Sequence, residues 1–454
     1  MNVAKHKLIY VLLFLFLLAK FLAISNYKTV WWDSAVYIGM GRHIYSIGNS
    51  GLWEDSRPLI WPLMLGFIWK IGLDVVLSGR ILEIIFGGLC VYLAYLIGKE
   101  IFNEKAALLA SLFLSMSPTF FFFNGIMLTE IVSTSFSLLG IYYFVKEKHF
   151  ASGAFLGIAF MTRFLQLFVF VGLLFVLFYF DRKNLKKIII GFLITILPFL
   201  ILNQILYNNP LFPFMQQINL SKNSGWLNYQ TLNHYFVELF KENFLYLLFI
   251  PGTFLALKNK KVYSKFIVVI FLFFFIFFNL IKQKEMRFLI VLMPYMYLLV
   301  SYSIIYFLGR IKNNTINYLT ITVVVFSLIY SAHTTSIFYN NESIKTNPYI
   351  EVQNRLDNTQ GRIWVTNPIV AVFSDKKIDK LMYYPYFDNE KEGELISGIS
   401  TANFVFFDSC DLACRPNDLK CEQDKTELIQ NFKQKLKTTY SSKHNQCRQF
   451  IFEK

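Results

Sequence analysis

The sequence predicts an α-helical polytopic membrane protein of about eleven transmembrane helices followed by a small C-terminal α/β or α+β domain. Three observations predict it. The 454 residues are 55% hydrophobic and only 16% charged, with 50 Phe and a mean hydropathy of +0.45, whereas a soluble chain carries roughly 25% charged residues. The apolar residues fall in blocks of about 20 separated by short basic stretches, the pattern of bilayer-spanning helices. The segment 334–454 breaks that pattern, being rich in charge and holding four of the five Cys.

Charge is divided unevenly. Residues 334–454 hold 16 basic and 16 acidic side chains, and the first 333 hold 28 and 13. The net charge of +15 therefore belongs to the membrane part, where Lys and Arg hold loops in the cytoplasm. A soluble Rossmann enzyme, a nucleic-acid binder and a disordered chain are excluded.

The elements follow in order. Lys5, His6 and Lys7 precede an apolar run over 8–24, longer than a signal-peptide core and lacking an A-x-A site, so it reads as an uncleaved first span with its N-terminus inside. Residues 25–77 form a mixed outer loop, in which 58–73, interrupted by Pro62, reads as a half-inserted or interfacial helix. Further spans are expected at 78–98, 106–123, 128–145, 150–162, 164–180, 188–206, 244–257, 263–281, 288–308 and 316–333. This arrangement puts Lys99/Lys105, Lys146/Lys148, Arg182/Lys183/Lys186/Lys187, Lys258/Lys260/Lys261 and Arg310/Lys312 on the cytoplasmic side. The stretch 151–180 has basic residues at both ends and must cross an even number of times, so two short helices should meet near Arg163. Lys282, Lys284 and Arg287 fall outside, against the rule.

The domain boundary is expected between 333 and 334, with 334–454 extracytoplasmic. Strands are expected at 361–366, 380–384, 403–408 and 449–452. A helix over 426–437 should bury Leu428, Ile429, Phe432 and Leu436 on one face. Cys90 reads as a buried hydrophobe. Cys410, Cys414, Cys421 and Cys447 suggest disulfides in an oxidising compartment, with three connectivities open. Zinc is the rival reading, although C-x3-C-x6-C is not a ribbon spacing.

Polar residues expected on the outer side are the candidates for chemistry. The loop reads Trp31-Trp32-Asp33-Ser34-Ala35-Val36-Tyr37, then Arg42-His43, then Trp53-Glu54-Asp55-Ser56-Arg57-Pro58. On a helix Asp33 and Tyr37 share a face, and the bland alternative is a solvated loop anchored by its Trp residues. Glu130 opens a span; its bland role is to complement the helix dipole, its functional one an acid at the mouth of a bundle. Arg163 interrupts an apolar stretch. Lys282-Gln283-Lys284-Glu285-Met286-Arg287 is either a solvated turn or an anion clamp, because Lys and Arg suit phosphate oxygens. The sequons Asn219-Leu-Ser221 and Asn341-Glu-Ser343 also fall outside.

The order of these pieces resembles the GT-C superfamily of membrane glycosyltransferases, especially its family 39 branch of protein O-mannosyltransferases and the lipid A aminoarabinose transferase. The matching pieces are Asp33-Ser-Ala-Val-Tyr37, Arg57-Pro58-Leu-Ile-Trp-Pro62, Gly79-Arg80, Leu96-Ile-Gly-Lys-Glu-Ile-Phe102, Ser117-Pro118 and Leu128-Thr-Glu130. They continue with Gly153…Gly157-Ile-Ala-Phe-Met-Thr-Arg163, Tyr207-Asn-Asn-Pro-Leu211 and Glu285-Met-Arg-Phe-Leu-Ile-Val-Leu-Met-Pro294. The resemblance covers roughly residues 1–300. It implies a membrane-bound transferase of the hexosyltransferase class with a dolichyl- or undecaprenyl-phosphate sugar donor, a protein, lipid or glycan acceptor, and inversion at the anomeric carbon.

The resemblance also implies roles. Asp33 matches the catalytic base and Glu130 the acid of the second outer loop. On chemical grounds the charge of the leaving lipid phosphate would be stabilised by Arg57, Arg163, Lys284 or Arg287, with Tyr37 on the helix face of Asp33. Many relatives carry a second acid directly after the first. Here that residue is Ser34, which weighs against a divalent metal held by adjacent carboxylates, and the sequence offers no clear ligand cluster for one. A transporter and a non-catalytic scaffold are the alternatives. Neither an inverted repeat nor an ionisable residue at the bilayer midplane favours transport.

Overall fold

In hydrocarbon a peptide group finds no water to bond, so each apolar run must satisfy its backbone within itself and folds as helix. The computed structural model describes residues 7–180, 182–223, 228–311, 313–343, 350–356, 359–383, 389–414, 418–444 and 447–454. Lys5, His6, Lys312 and Tyr384, all used in the sequence reading, lie outside them. The chain divides into two units, one of 1–28, 79–212 and 228–345, the other of 29–78, 213–227 and 346–454.

Among its described residues the first unit is helical apart from an isolated bridge between Tyr229 and Gln283. Helices lie where spans were expected, at Lys7–Ala23, Val75–Ile101, Glu104–Met116, Thr129–Val145, His149–Thr162, Leu167–Phe180, Leu185–Tyr207, Phe249–Lys258, Val262–Leu280, Met293–Arg310 and Asn314–Ser343. Lys7–Asn26, Val75–Ile101, Arg182–Tyr207, Val262–Leu280 and Asn314–Glu342 are long and apolar enough to cross a membrane by themselves.

Several of the other runs are broken, and each break has a local cause. The run 106–123 ends its first helix at Ser117, whose hydroxyl accepts the Phe120 N–H while Pro118 starts the short helix Pro118–Phe123. Asn243 breaks the chain before Phe249–Lys258 by accepting the Leu245 N–H. At Arg163 the backbone is extended, so 151–180 is two helices meeting there, as its two basic ends required. The last helix runs to Ser343, beyond the span end expected at 333.

Helix Leu185–Tyr207 packs on His149–Thr162 through glycines. A Cβ at Gly153 would lie 2.0 Å from the Ile188 oxygen, and one at Gly191 2.2 Å from that of Phe150, the close approach that small residues permit between membrane helices. Three loops expected to be cytoplasmic meet at one end of this unit: Lys146 pairs with Glu100, and the Lys261 ammonium donates to the Glu100 carbonyl at 2.9 Å.

The second unit contains the outer loop as well as the C-terminal segment. The loop is folded around two helices with buried faces. Helix Trp32–Tyr45 buries every residue from Ser34 to Arg42, and helix Ile60–Lys70, too short at 11 residues to cross a bilayer, buries Trp61, Pro62, Leu65, Gly66 and Ile68. Arg42 ties the loop to the C-terminal segment, donating to the carbonyls of Ser374 and Val372 at 2.8 Å each.

That segment folds as a five-stranded mixed sheet of β1 (Arg362–Val365), β2 (Lys380–Leu381), β3 (Ala402–Asp408), β4 (Lys437–His444) and β5 (Cys447–Glu453), in the order β2-β1-β3-β5-β4. β1 pairs parallel with β2 and β3; β5 pairs antiparallel with β3 and β4. The parallel half makes the domain α/β. Helix Leu419–Lys435 lays Leu428 and Phe432 into a core with Phe407, Phe450 and Phe452; Leu436 joins that core and Ile429 packs at its edge. The helix starts earlier than expected because Asp418 caps it, accepting the Cys421 N–H at 3.1 Å. Cys410 is bonded to Cys447 and Cys414 to Cys421, with Cα atoms 5.4 and 5.7 Å apart.

Candidate functional site

The sequence-predicted residues fall into two clusters, one in each unit. In the second unit Asp33 lies in the first turn of Trp32–Tyr45, and Tyr37 shares its face one turn on. Arg57 spans both. Its Nη2 donates to Asp33 Oδ1 at 2.8 Å and its Nη1 to the Tyr37 hydroxyl at 3.2 Å. Its Nε faces both carboxylate oxygens of Glu54 at 3.3 Å. Glu54 is 4% exposed and also accepts from the hydroxyls of Ser56 and Tyr383, each at 2.7 Å. Burial pulls the Arg57 guanidinium down, yet Glu54, then Asp33, Tyr37 and Tyr383 outweigh it, and its pKa stands well above the ordinary value. Arg57 is thus shared between two carboxylates, those of Asp33 and Glu54.

In the first unit Glu130 sits in the first turn of Thr129–Val145 and is 2% exposed. Arg163 Nη1 lies 3.2 Å from Glu130 Oε1 and donates to the Thr129 hydroxyl at 3.0 Å. Arg287 Nε approaches the same Glu130 oxygen at 3.9 Å and Glu285 Oε2 at 2.7 Å. Two guanidiniums therefore converge on one buried carboxylate oxygen at a helix N-terminus, where the dipole adds further positive potential. Lys284 is 4% exposed and acts as a strut: its ammonium donates to the carbonyls of Ile281 (2.5 Å) and Gln230 (3.3 Å), and residues around it bridge to the strand-like segment at Tyr229. The segment 282–287 is thus a tied turn, not a solvated one.

The loop before Glu130 is held by a residue that the sequence reading passed over. Glu83, fully buried in Val75–Ile101, accepts the backbone N–H groups of Gly125 (2.8 Å), Met127 (2.6 Å) and Leu128 (3.0 Å). These donors converge because Gly125 and Met127 take left-handed backbone at φ +127° and +69°, a conformation that glycine adopts freely and Met at a cost. Lys20 is likewise buried in the first helix, donating to the hydroxyls of Tyr27 (3.0 Å) and Tyr339 (2.7 Å) and to the Phe121 carbonyl (2.7 Å). The apolar helices thus do contain buried ionisable residues. A lone charge in an apolar run was the available signal for both. Glu54 stood three residues before Arg57, but Tyr383, 329 residues further on, carried no signal at all.

Among the described residues, Asp408, Cys410 and Cys447 come together closely enough to hold a metal ion. Both of these sulfurs are tied in one disulfide, so neither is a thiolate, and the group does not fit a divalent cofactor.

The architecture recurs in solved structures. ArnT from Cupriavidus metallidurans bound to undecaprenyl phosphate aligns with a TM-score of 0.70 at 10% identity, covering 100% of this chain and 98% of that one. The archaeal oligosaccharyltransferase AglB from Archaeoglobus fulgidus, in complex with an inhibitory peptide and a dolichol-phosphate, aligns with a TM-score of 0.58 at 12% identity, covering 87% of this chain and 69% of that one. The chain thus has the fold of these two polytopic membrane proteins. Residues 56–207 match the family model described as dolichyl-phosphate-mannose-protein mannosyltransferase. GPI mannosyltransferase 2 of Schizosaccharomyces pombe is 27% identical over 138 residues, 29% of this chain; the chain spans 28% of that relative's length.

Proposed function

We propose that this protein transfers a sugar from a polyprenyl phosphate, dolichyl or undecaprenyl, to a protein, lipid or glycan acceptor at the outer face of a membrane. The observation that carries the proposal is the convergence of Arg163 and Arg287 on Glu130 Oε1. Two guanidiniums aimed at one anionic oxygen form a receptor for phosphate as well as for carboxylate. Asp33, held by Arg57 on the face of Tyr37, is the base. The acceptor O–H or N–H attacks the anomeric carbon as its proton passes to Asp33. The bond from that carbon to the phosphate oxygen breaks, and the lipid phosphate leaves with the electron pair. Attack opposite the phosphate inverts the centre. Arg163 and Arg287 offset the charge that develops on the leaving group, Lys284 braces their segment, and Glu130 keeps both guanidiniums oriented. The N-terminus faces the cytoplasm, and the unit carrying Asp33 and the disulfides faces outward. That placement is supported by the distribution of Lys and Arg and by two disulfides, which persist in oxidising compartments.

The test is transfer by purified protein in liposomes supplied with radiolabelled dolichyl- and undecaprenyl-phosphate sugars, one at a time, together with a membrane extract as acceptor source. Transfer from at least one donor, abolished in Asp33→Asn, is the expected result. Label that stays on the lipid with every donor overturns the proposal.

A further inference from the structure

We propose that Tyr383, contributed by the C-terminal sheet domain, is a positioning residue of the transfer site: through Glu54 it sets how Arg57 is shared between Glu54 and Asp33. The inference rests on the proposed role of Asp33. A buried carboxylate needs either a full counter-charge or several hydrogen-bond donors. Arg57 cannot supply a full charge to Glu54 and Asp33 together. The hydroxyls of Ser56 and Tyr383, both 2.7 Å from Glu54 Oε1, make up the difference. Arg57 is then free to sit closer to Asp33 Oδ1, at 2.8 Å, than to either oxygen of Glu54, at 3.3 Å.

Ser56 lies two residues from Glu54, but Tyr383 comes from the segment just after β2. Its ring meets Trp32 edge-on with centroids 4.7 Å apart, and Trp32 precedes Asp33 in the chain. Tyr383 therefore touches the catalytic loop twice, at the residue before Asp33 and at the acid that competes with Asp33 for Arg57. Without its hydroxyl, Glu54 should draw Arg57 toward itself and weaken the 2.8 Å contact between Arg57 and Asp33 Oδ1. The sheet domain is on this account part of the catalytic apparatus.

The experiment compares the full chain in liposomes with Tyr383→Phe, Tyr383→Ala, Glu54→Gln, the Glu54→Gln/Tyr383→Phe double variant and Asp33→Asn, using the panel donor of highest turnover. Tyr383→Phe should lower kcat about ten-fold, the scale of one hydrogen bond to a charged group, with donor KM and melting temperature unchanged. Added to Glu54→Gln, it should lower kcat by less than two-fold more, because the residue through which it acts has already been altered. A Tyr383→Phe protein with wild-type kcat overturns the inference, as does an effect that multiplies in full with that of Glu54→Gln; the ring alone would then matter, and only Tyr383→Ala would lose stability. An active Asp33→Asn, or a wild type that transfers nothing, instead brings down the underlying reading of the site and this inference with it.

Discussion

Asp33 carries the sharpest expectation among the single residues. Replacement by Asn keeps its volume and one acceptor for Arg57 but removes the base, so turnover should fall by about 10²–10⁴ while yield and melting temperature hold. A purified Asp33→Asn protein that keeps more than about half the wild-type rate removes Asp33 from the role of base, since a base is worth at least ~10²-fold. Arg287 should behave differently. A charge-assisted contact contributes roughly 1.5–3 kcal/mol, so Arg287→Ala should raise the donor Kd by about 10–150-fold, read by competition with undecaprenyl phosphate. An unchanged Kd takes Arg287 out of the phosphate site. Asp411 tests the soluble side. Burial, then the charge of Asp408, raises its carboxyl well above the ordinary value, although Asn367 donates to both of its oxygens at 3.1 Å. A carboxyl with a raised folded pKa binds its proton more tightly in the native state. It therefore stabilises below the unfolded value of about 3.9, and that contribution is lost as pH rises through the folded value. The thermal stability of the sheet domain should fall as pH rises over this range in the wild type and show less of that dependence in Asp411→Asn. Identical pH profiles would exclude Asp411 as the source.

Secondary-structure elements were legible wherever hydropathy or charge placed them. The two helices meeting at Arg163 followed from basic residues at both ends of one apolar run, and the core face of Leu419–Lys435 followed from its apolar spacing. β4, Lys437–His444, was missed because Lys-Thr-Thr-Tyr-Ser-Ser-Lys-His lacks the apolar alternation of a half-buried strand and lies at a sheet edge. Glu83 was missed because it acts on backbone N–H groups, which no side-chain motif records. Its contribution is measurable all the same. Glu83→Gln leaves one acceptor oxygen for three N–H groups, and each donor left unmet costs about 1–3 kcal/mol. The loop Gly125–Leu128 should therefore exchange its amide hydrogens faster, with donor affinity falling alongside; protection equal to wild type would show that the clamp is dispensable. The two disulfides should differ in weight. Cys410–Cys447 closes 37 residues and Cys414–Cys421 closes 7, which the chain-entropy relation converts to roughly 4 and 2 kcal/mol. Replacing the first pair by Ser should lower the sheet domain's melting temperature more than replacing the second, and the reverse order would point to strain or to residual structure in the unfolded chain.

Taken whole, the molecule should thread the membrane an odd number of times. A single cysteine introduced at Lys183 should resist a membrane-impermeant maleimide applied from outside, whereas one at Lys420 should react. Labelling of both from the same side is incompatible with eleven crossings. The fold class could be read from composition and the order of its motifs, because hydropathy fixes spans without knowledge of tertiary contacts. The membership of the second unit could not, since nothing local in 29–78 announces a partner more than 300 residues away; Arg42 reaching Ser374 and Tyr383 reaching Glu54 are facts of packing alone.

That interleaving bears on how the protein is made. Residues 29–78 leave the ribosome early, but they complete their unit only with 213–227 and 346–454. At about 5–20 residues per second, synthesis of Gly79–Lys345 imposes a wait of roughly 15–50 s. Throughout it, the nascent loop lacks the carbonyls that Arg42 binds and the hydroxyl that satisfies Glu54. A chain interrupted before Thr346 should thus reach the membrane with the spans of the first unit inserted and its proposed base still unaimed, so that catalytic competence itself reports that the C-terminal part of the second unit has been made.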